Sequence, residues 1–429
     1  MFERFLGSCV RRAIERERPL IIAVAGSVGK SSTKEAIGIA LGAGERGSRV
    51  VASAKNYNNE LGVPLTIFGC DAPGRNPLAW LVLLGKAALA LLALTRLRAS
   101  TFVLELATDR PGDLAHLVSI ARPTIGVLTA IGPEHIEFFG SSEAVAREEG
   151  TIIRALGENG VAVVNADDSV AMAFTSGMKG STYTFGISED ATARIVDAQL
   201  VIDEAAPESS GLDVTIALLG STRSFRITGT VGRPHAIAVA AALAVVNAID
   251  GDERLAVSRL ADRYHGYPGR MRLLKGIKHT WLIDDSYNSS PLAALSAIHD
   301  LAAFPVAEEC RRIAALGDML ELGSLAEEAH RNVGRAVAEA GVDIFVVCGT
   351  LAHAVREGAL AAGMAEEKIF SFGTSAEAGR FIQSTLRAGD VVLVKGSQGA
   401  RMERITLELM AHPEHAEELL VRQSKEWRE

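Results

Sequence analysis

The chain has 429 residues, 48% hydrophobic and 22% charged, with a formal net charge of −8 from 44 basic and 52 acidic side chains. That composition is globular and long enough for two or three domains; it excludes a disordered chain, and without a basic tract nucleic acid is not expected as a partner. The cysteines, at 9, 70, 310 and 348, form no CxxC pair, so free thiols in a cytoplasmic chain are expected rather than a zinc ribbon or a disulfide framework.

The opening "MFERFLGSCVRRAIERERP" is too charged for a signal peptide and predicts an amphipathic helix. Next comes "IIAVAGSVGKSSTKEAI" (21–37), an apolar strand-like run, a glycine-containing loop and a helical pattern. This is the context of a phosphate-binding loop, shorter than GxxxxGK[ST] because Val24 stands where the first glycine belongs. Gly26 and Gly29 let the backbone, with Ser27, Val28 and Ser32, approach a phosphate at the helix start. Lys30 suits the outer phosphates and the Ser31 hydroxyl suits Mg²⁺. The plainer alternative, an ordinary glycine turn, is disfavoured by the flanking strand and helix.

The stretch "LAWLVLLGKAALALLAL" (78–94) is nearly all apolar, flanked by Arg75, Arg96 and Arg98, and just short of the ~20 residues that span a bilayer. Three readings fit it: a helix covered by another domain or subunit, a surface that meets lipid or an apolar substrate, or a span.

Strand-like runs at 101–107, 124–132 and 160–168 alternate with helical patterns, which predicts a parallel sheet covered on both faces. Glu105 ends the first run, where a carboxylate reaches the loop's edge; His135 follows the second, as either a ligand or a structural histidine; Asp167 and Asp168 follow the third, as either ligands or turn formers. Alternation within 190–230 predicts short antiparallel strands, read as a hairpin appendage, and an alanine-rich helix follows at 236–249.

"YHGYPGRMRLL" (264–274) breaks the pattern and sets a domain boundary near 267. A second α/β series follows: "TWLIDDSY", "RRIAALGDM", "DIFVVCG" and "DVVLVKGS". Arg270 suits a transferring phosphoryl group, Asp284 or Asp285 a ribose hydroxyl, and Lys395 with Ser397 a substrate carboxylate. The fold expected is α/β: a P-loop-type central domain with a mostly parallel sheet (1–267, apolar insertion near 76–98), then a Rossmann-like C-terminal domain (268–429).

"GSVGKSSTKE", "NYNNELGVPLT" (56–66), "RPGDLAHLVSIARP", "GPEHIEFFGSSEAVARE", "PGRM", "DDSYNSSP", "LGDMLELG" and "VKGSQGARME" together resemble the Mur ligase family, and within it the MurF type, in the family's order from about residue 20 to 405. The resemblance implies an amide ligase in which ATP phosphorylates a carboxylate and an amine attacks the acyl phosphate. It implies ATP and Mg²⁺, a muramoyl-peptide acceptor, and D-Ala-D-Ala or a similar amine. It also implies roles: Lys30 and Ser31 for ATP and the first Mg²⁺, Glu105 and His135 for metal, His235 near the base, Arg270 for the γ-phosphate, and Asp284 for the ribose. Lys395 and Ser397, with Tyr287 and Asn288 from "DDSYNSSP", would meet the incoming amino-acid substrate, and Asn58 and Asn59 the acceptor.

Four departures stand out. The chain starts about 20 residues before the loop, where MurF-type enzymes carry a UDP-gripping domain; the expectation is a separate chain supplying it, a substrate held differently, or one without UDP. Glu149 stands where the family has a carbamylated lysine, and is expected to supply the anionic metal ligand instead. His235 remains from a His-Asn-x-x-Asn segment, but Ala236 and Val239 replace the amides. The 78–94 segment reads as an insertion that meets a lipid-linked or apolar acceptor, a membrane surface or a protein, which would place the enzyme in the cytoplasm, at the inner membrane face where that contact forms. The readings carried forward are an active MurF-type ligase, a Mur-like ligase or amidating subunit acting on another acceptor, and a nucleotide-binding scaffold without catalysis.

Overall fold

The computed structural model describes residues 2–54, 57–424 and 427; Asn56 of the quoted 56–66 segment lies outside them. Among the described residues the chain builds two sheets. The first holds β1 (Leu20–Ala25), β2 (Val50–Ala52), β3 (Thr101–Glu105), β4 (Ile125–Leu128), β5 (Val161–Asn165), β6 (Ser181–Gly186), β7 (Ala193–Val201), β8 (Gly211–Leu218) and β9 (Ser221–Thr228). Their order is β2-β3-β1-β4-β5-β6-β7-β8-β9. All pairs are parallel except β7–β8 and β8–β9. The 190–230 region is therefore not an appendage: β6, which its polar "STYTFG" hid, pairs with both β5 and β7 and carries the sheet onward.

Helices cover both faces, as near-continuous apolar strands require. On one face lie α1 (Phe2–Glu17), α3 (Gly62–Phe68), α4 (Pro77–Leu91) and α5 (Asp113–Ile120). On the other lie α2 (Lys30–Ala40) and the helix Arg233–Ala248, whose alanines let it sit close against α2 and the sheet. As its periodicity predicts, α1 buries Leu6, Cys9, Val10 and Ala13. It packs against α4, which buries only Leu83, Ala87 and Ala90 and leaves a leucine stripe in solvent. No described helix is long and apolar enough to cross a membrane.

The second sheet runs β10-β11-β15-β12-β13-β14, with β10 (Arg272–Gly276), β11 (Thr280–Asp285), β12 (Arg312–Gly317), β13 (Ile344–Cys348), β14 (Ile369–Phe372) and β15 (Val391–Lys395). Only β10 is antiparallel to its neighbour. Helices cover both of its faces as well. The carboxyl ends of β1, β3 and β4 in one sheet and of β11, β12 and β15 in the other carry loops that line one shared cleft. That is where open α/β sheets place ligands. All four cysteines are free thiols.

Candidate active site

The phosphate loop is held from behind. Gly26 has φ 127°, and a Cβ there would sit 2.2 Å from the Thr129 hydroxyl, so only glycine lets β1 turn this close to β4. The Ser27 hydroxyl accepts from Gly132 N–H at 3.0 Å and lies 3.1 Å from the Gly132 carbonyl, while Val28 bridges to Ala130. Gly29 (φ 92°) starts α2, whose first N–H groups have no side-chain cap and remain available to an anion. Lys30 donates to the Gly26 carbonyl and lies 3.7 Å from Glu134. Burial pulls its pKa down, but the carboxylates of Glu134, Glu149 and Glu105 outweigh that and leave it raised, so the ammonium stays charged.

Two chambers meet at this loop. A polar one of about 700 Å³ is lined by the expected Ser27, Asn58, Asn59, Glu105, His135, Tyr287, Asn288 and Ser397, and by Arg110, His116 and Glu134. A more apolar one of about 430 Å³ is lined by Val28, Ser31, Ser32, Pro234, Ile237, Leu292 and Ala297, with Asn165, Asp167, Asp168, His235, Asp285 and Lys395 among its polar and charged groups. Gly29 and Arg270 line both.

Of the four expected metal ligands, Glu149 and His135 do not converge on Ser31 and Glu105. Glu149 is buried beneath the loop, where it accepts from Gly26 N–H at 2.7 Å. Burial pushes its carboxyl up to about 7 against the pull of Lys30. Its short side chain ends on the backbone, outside the polar chamber. His135 Nδ1 pairs with Glu321 Oε2 at 2.6 Å and Glu137 N–H donates to the Glu321 carbonyl, so this segment bridges to the second sheet's loops. Among the described residues, no group of three or more His, Cys, Asp or Glu is placed to hold a metal. Ser31 and Glu105 do pair, at 3.3 Å, and Glu105 Oε2, which has no hydrogen bond among the described residues, lies 3.7 Å from the Lys34 ammonium. Asn58 also donates to Glu105, at 3.4 Å, whereas the Asn59 side-chain oxygen accepts from Gly62 N–H at 2.8 Å. Asp167 and Asp168 are turn formers: Asp167 accepts from Ile187 and Ser188 N–H, and Asp168 caps the helix at 169–173.

His235 does not offer its ring to a base. Nδ1 lies 2.8 Å from the Tyr264 hydroxyl, and Nε2 lies 2.9 Å from the Arg270 carbonyl and 3.2 Å from that of Met271. Burial lowers its pKa to about 4, so the ring is neutral: it donates from Nε2 to the carbonyls and accepts from Tyr264 at Nδ1. Ser32 in turn hydrogen-bonds Tyr264. A buried relay thus ties α2 to the linker that carries Arg270. From the other side Asp285 accepts from Met271 N–H at 3.2 Å, and Tyr287 lies under the guanidinium at 4.1 Å. Tyr264→Phe should cost about 1–3 kcal/mol of stability by leaving His235 Nδ1 unpaired. It should also lower kcat more than it raises the KM for ATP, as melting and steady-state assays would register.

The adjacent aspartates split as strand alternation demands. Asp285 lines the apolar chamber, whereas Asp284 is fully buried toward the helix Glu403–Leu409, accepting from the Thr406 hydroxyl. Asp284, the expected ribose contact, is thus enclosed away from both chambers, while the Asp285 oxygens accept from Met271 N–H and Lys395. Burial raises Asp284 from 3.8 to about 6, with Asp285 adding to the rise and Arg272 opposing it. Stability from this site is full below the unfolded pKa and lost as pH rises through about 6. Asp284→Asn should match wild type near pH 4 and gain on it by pH 8, by about 3 kcal/mol at most; a pH-independent difference in denaturation midpoints would refute this. Lys395 is likewise not free for a substrate carboxylate: it is 2% exposed and bonded to Asp285 Oδ2 at 2.6 Å and to the Asn288 carbonyl at 3.0 Å. The Ser397 hydroxyl accepts from Leu320 N–H and donates to the Ser289 carbonyl.

The chain matches the Mur ligase middle domain over residues 86–246 and the Mur ligase, glutamate ligase domain over 269–398. It is 30% identical to a UDP-N-acetylmuramoyl-tripeptide–D-alanyl-D-alanine ligase of Mycobacterium bovis, over 91% of this chain and 73% of that one. The chain belongs to the Mur ligase family. The Escherichia coli ligase of the same name is 28% identical over 90% of this chain and 75% of that one. The crystal structure of MurF ligase from Thermotoga maritima in complex with ADP superposes with a TM-score of 0.76 at 25% identity, over 95% of this Mur ligase and 83% of that chain.

Glu134 and Tyr264 carry no signal of their roles along the chain. Glu134 stood beside the singled-out His135. Tyr264 opened the boundary segment, but nothing local signals that its hydroxyl meets a histidine 29 residues earlier.

Proposed function

We propose that this Mur ligase is an ATP-dependent amide ligase of MurF type that joins D-alanyl-D-alanine to a muramoyl tripeptide through an acyl phosphate. The observation that carries this reading is the junction of the two chambers at Gly29 and Arg270, with Lys30 charged beside them. The apolar chamber receives the nucleoside, the phosphates lie along the loop and the start of α2, and the polar chamber takes the acceptor and the amine. A carboxylate oxygen of the acceptor attacks the γ-phosphorus, and the bond to the bridging oxygen breaks to release ADP. The amine nitrogen then attacks the acyl carbon, the tetrahedral oxyanion collapses, and inorganic phosphate leaves as the amine proton passes to solvent or a cleft carboxylate. Lys30 and Arg270 offset the charge that gathers on the moving phosphoryl group.

Among the described residues, six carboxylates line the polar chamber (Glu60, Glu105, Asp109, Asp113, Glu134 and Glu321) against three permanent cations (Lys30, Arg110 and Arg270). That excess, the buried Glu105 carboxylate, which Lys34 faces at 3.7 Å without a hydrogen bond to Oε2, and the Ser31 hydroxyl fit Mg²⁺, which needs only one or two protein oxygens beside phosphate and water. Bound there, Mg²⁺ would supply charge neutralisation and Lewis acidity to the phosphates. Asn58 and the cleft-lining Asn59 suit the acceptor peptide; Tyr287, Asn288 and Ser397 suit the amine substrate from the opposite wall. The His135–Glu321 bridge helps to hold the walls together and keep water from the acyl phosphate. ATP use places the reaction in the cytoplasm.

The test is ADP release with Mg²⁺-ATP, UDP-N-acetylmuramoyl tripeptide and D-alanyl-D-alanine, each omitted in turn, with mass detection of the pentapeptide. Turnover that needs all three supports the proposal. Turnover only with a UDP-free or lipid-linked peptide moves the acceptor, and ATP binding without turnover on any of them leaves a scaffold.

A further inference from the structure

The solvent-facing side of α4 is unusual for a helix on an α/β domain. Leu78, Leu81, Val82, Leu89 and Leu92 are 71, 66, 55, 41 and 65% exposed. They fall on one stripe of a 3.6-residue helix, opposite the buried Leu83, Ala87 and Ala90. Nothing in the helix's own construction calls for this stripe. Its first N–H groups are capped by Asn76, and Arg16 donates to the Ala90 carbonyl at 2.6 Å near its end. The apolar side chains are therefore not completing a core, and a stripe this continuous marks an interaction surface.

Charge identifies the partner. In a chain with more acidic than basic residues, 72–104 contains no Asp or Glu but holds Arg75, Lys86, Arg96 and Arg98. Arg75 and Arg96 are exposed at the two ends of the stripe. A second copy of this chain would bring like charges together around the same leucines. A bilayer with anionic headgroups offers apolar depth beneath the stripe and phosphate at both of its ends. The helix is too short to cross that bilayer and suits lying in its surface.

We propose that α4 docks this enzyme on an anionic phospholipid surface, with the leucine stripe at the acyl boundary and Arg75 and Arg96 on lipid phosphates. The chain runs from the cleft residues Asn58 and Asn59 through α3 into this helix, so the docked element follows directly on the acceptor wall. The proposal is independent of which acceptor the cleft takes.

Sedimentation of the full chain with vesicles of phosphatidylglycerol and phosphatidylcholine, and with phosphatidylcholine alone, tests it. Wild type should pellet with the anionic vesicles, less as salt rises, and stay largely soluble with the neutral ones. Leu81→Glu with Leu89→Glu should weaken binding by more than about tenfold. Arg75→Glu with Arg96→Glu, which leaves the stripe and the core untouched, should weaken it by about tenfold or more. Melting midpoints without lipid should be unchanged in both. Wild type that remains soluble with anionic vesicles, or charge-reversed protein that binds as wild type does, overturns the proposal. So does a lipid-free dimer that Leu81→Glu with Leu89→Glu converts to monomer, since a second copy would then own the stripe.

Discussion

Lys30→Met should lower ADP formation by about 10²–10³-fold, the loss typical of one removed charge-stabilising donor at a developing anion. The chemistry step should fall far more than melting temperature. Lys30 is the cation on which Glu134, Glu149 and Glu105 all act, and its ammonium is held by backbone carbonyls of the loop itself. Without it those carboxylates lose their shared counter-charge. Glu149, already pushed up to about 7 by burial, should then bind a proton at still higher pH. The variant should therefore keep the fold while the pH profile of any residual activity moves. Single-turnover ADP measurements across pH check both parts. Activity within a few-fold of wild type would remove Lys30 from the phosphoryl-transfer machinery.

Asp285→Ala should destabilise the protein by about 3–5 kcal/mol, because it leaves a buried ammonium without its carboxylate. Lys395 is fully enclosed and its pKa is already lowered by burial, offset only by Asp285. The same aspartate holds Met271 N–H, so its loss also frees the linker that carries Arg270. The double replacement Asp285→Leu with Lys395→Met should recover most of the stability, since an apolar pair of similar volume avoids desolvating two charges. It should not recover turnover, because the Met271 tether stays cut. Urea denaturation of the three variants with parallel ADP assays would show it. A double variant as unstable as Asp285→Ala would mean that the pair is not the source of the loss.

Asp284 and Asp285 show where reading along the chain stops. Period-two alternation states that the two aspartates face opposite sides of β11, but not which side meets the cleft. That depends on which helices pack on each face, and the helix Glu403–Leu409 that encloses Asp284 lies more than a hundred residues away. Lys395 and His235 fail as substrate or base contacts for the same reason. Each is polar, near a strand end or helix start, and suited to a ligand; each has its polar atoms taken by residues distant in sequence.

Local order was within the sequence's reach. The strand–loop–helix around Lys30, the alternation that makes a parallel sheet, the second α/β series, and the segments that mark a Mur ligase all depend on neighbours a few residues apart. So did the amphipathic α1, whose apolar spacing alone determines its buried face. Tertiary structure decided the rest: the nine-strand sheet that absorbs 190–230, the buried seat of Glu149 under Gly26, the relay from Ser32 to Arg270, and the stripe of α4 left in water. Each is a contest between desolvation and a partner supplied from elsewhere in the chain. The residue type sets the cost of burial, and only the folded packing determines whether a partner meets it.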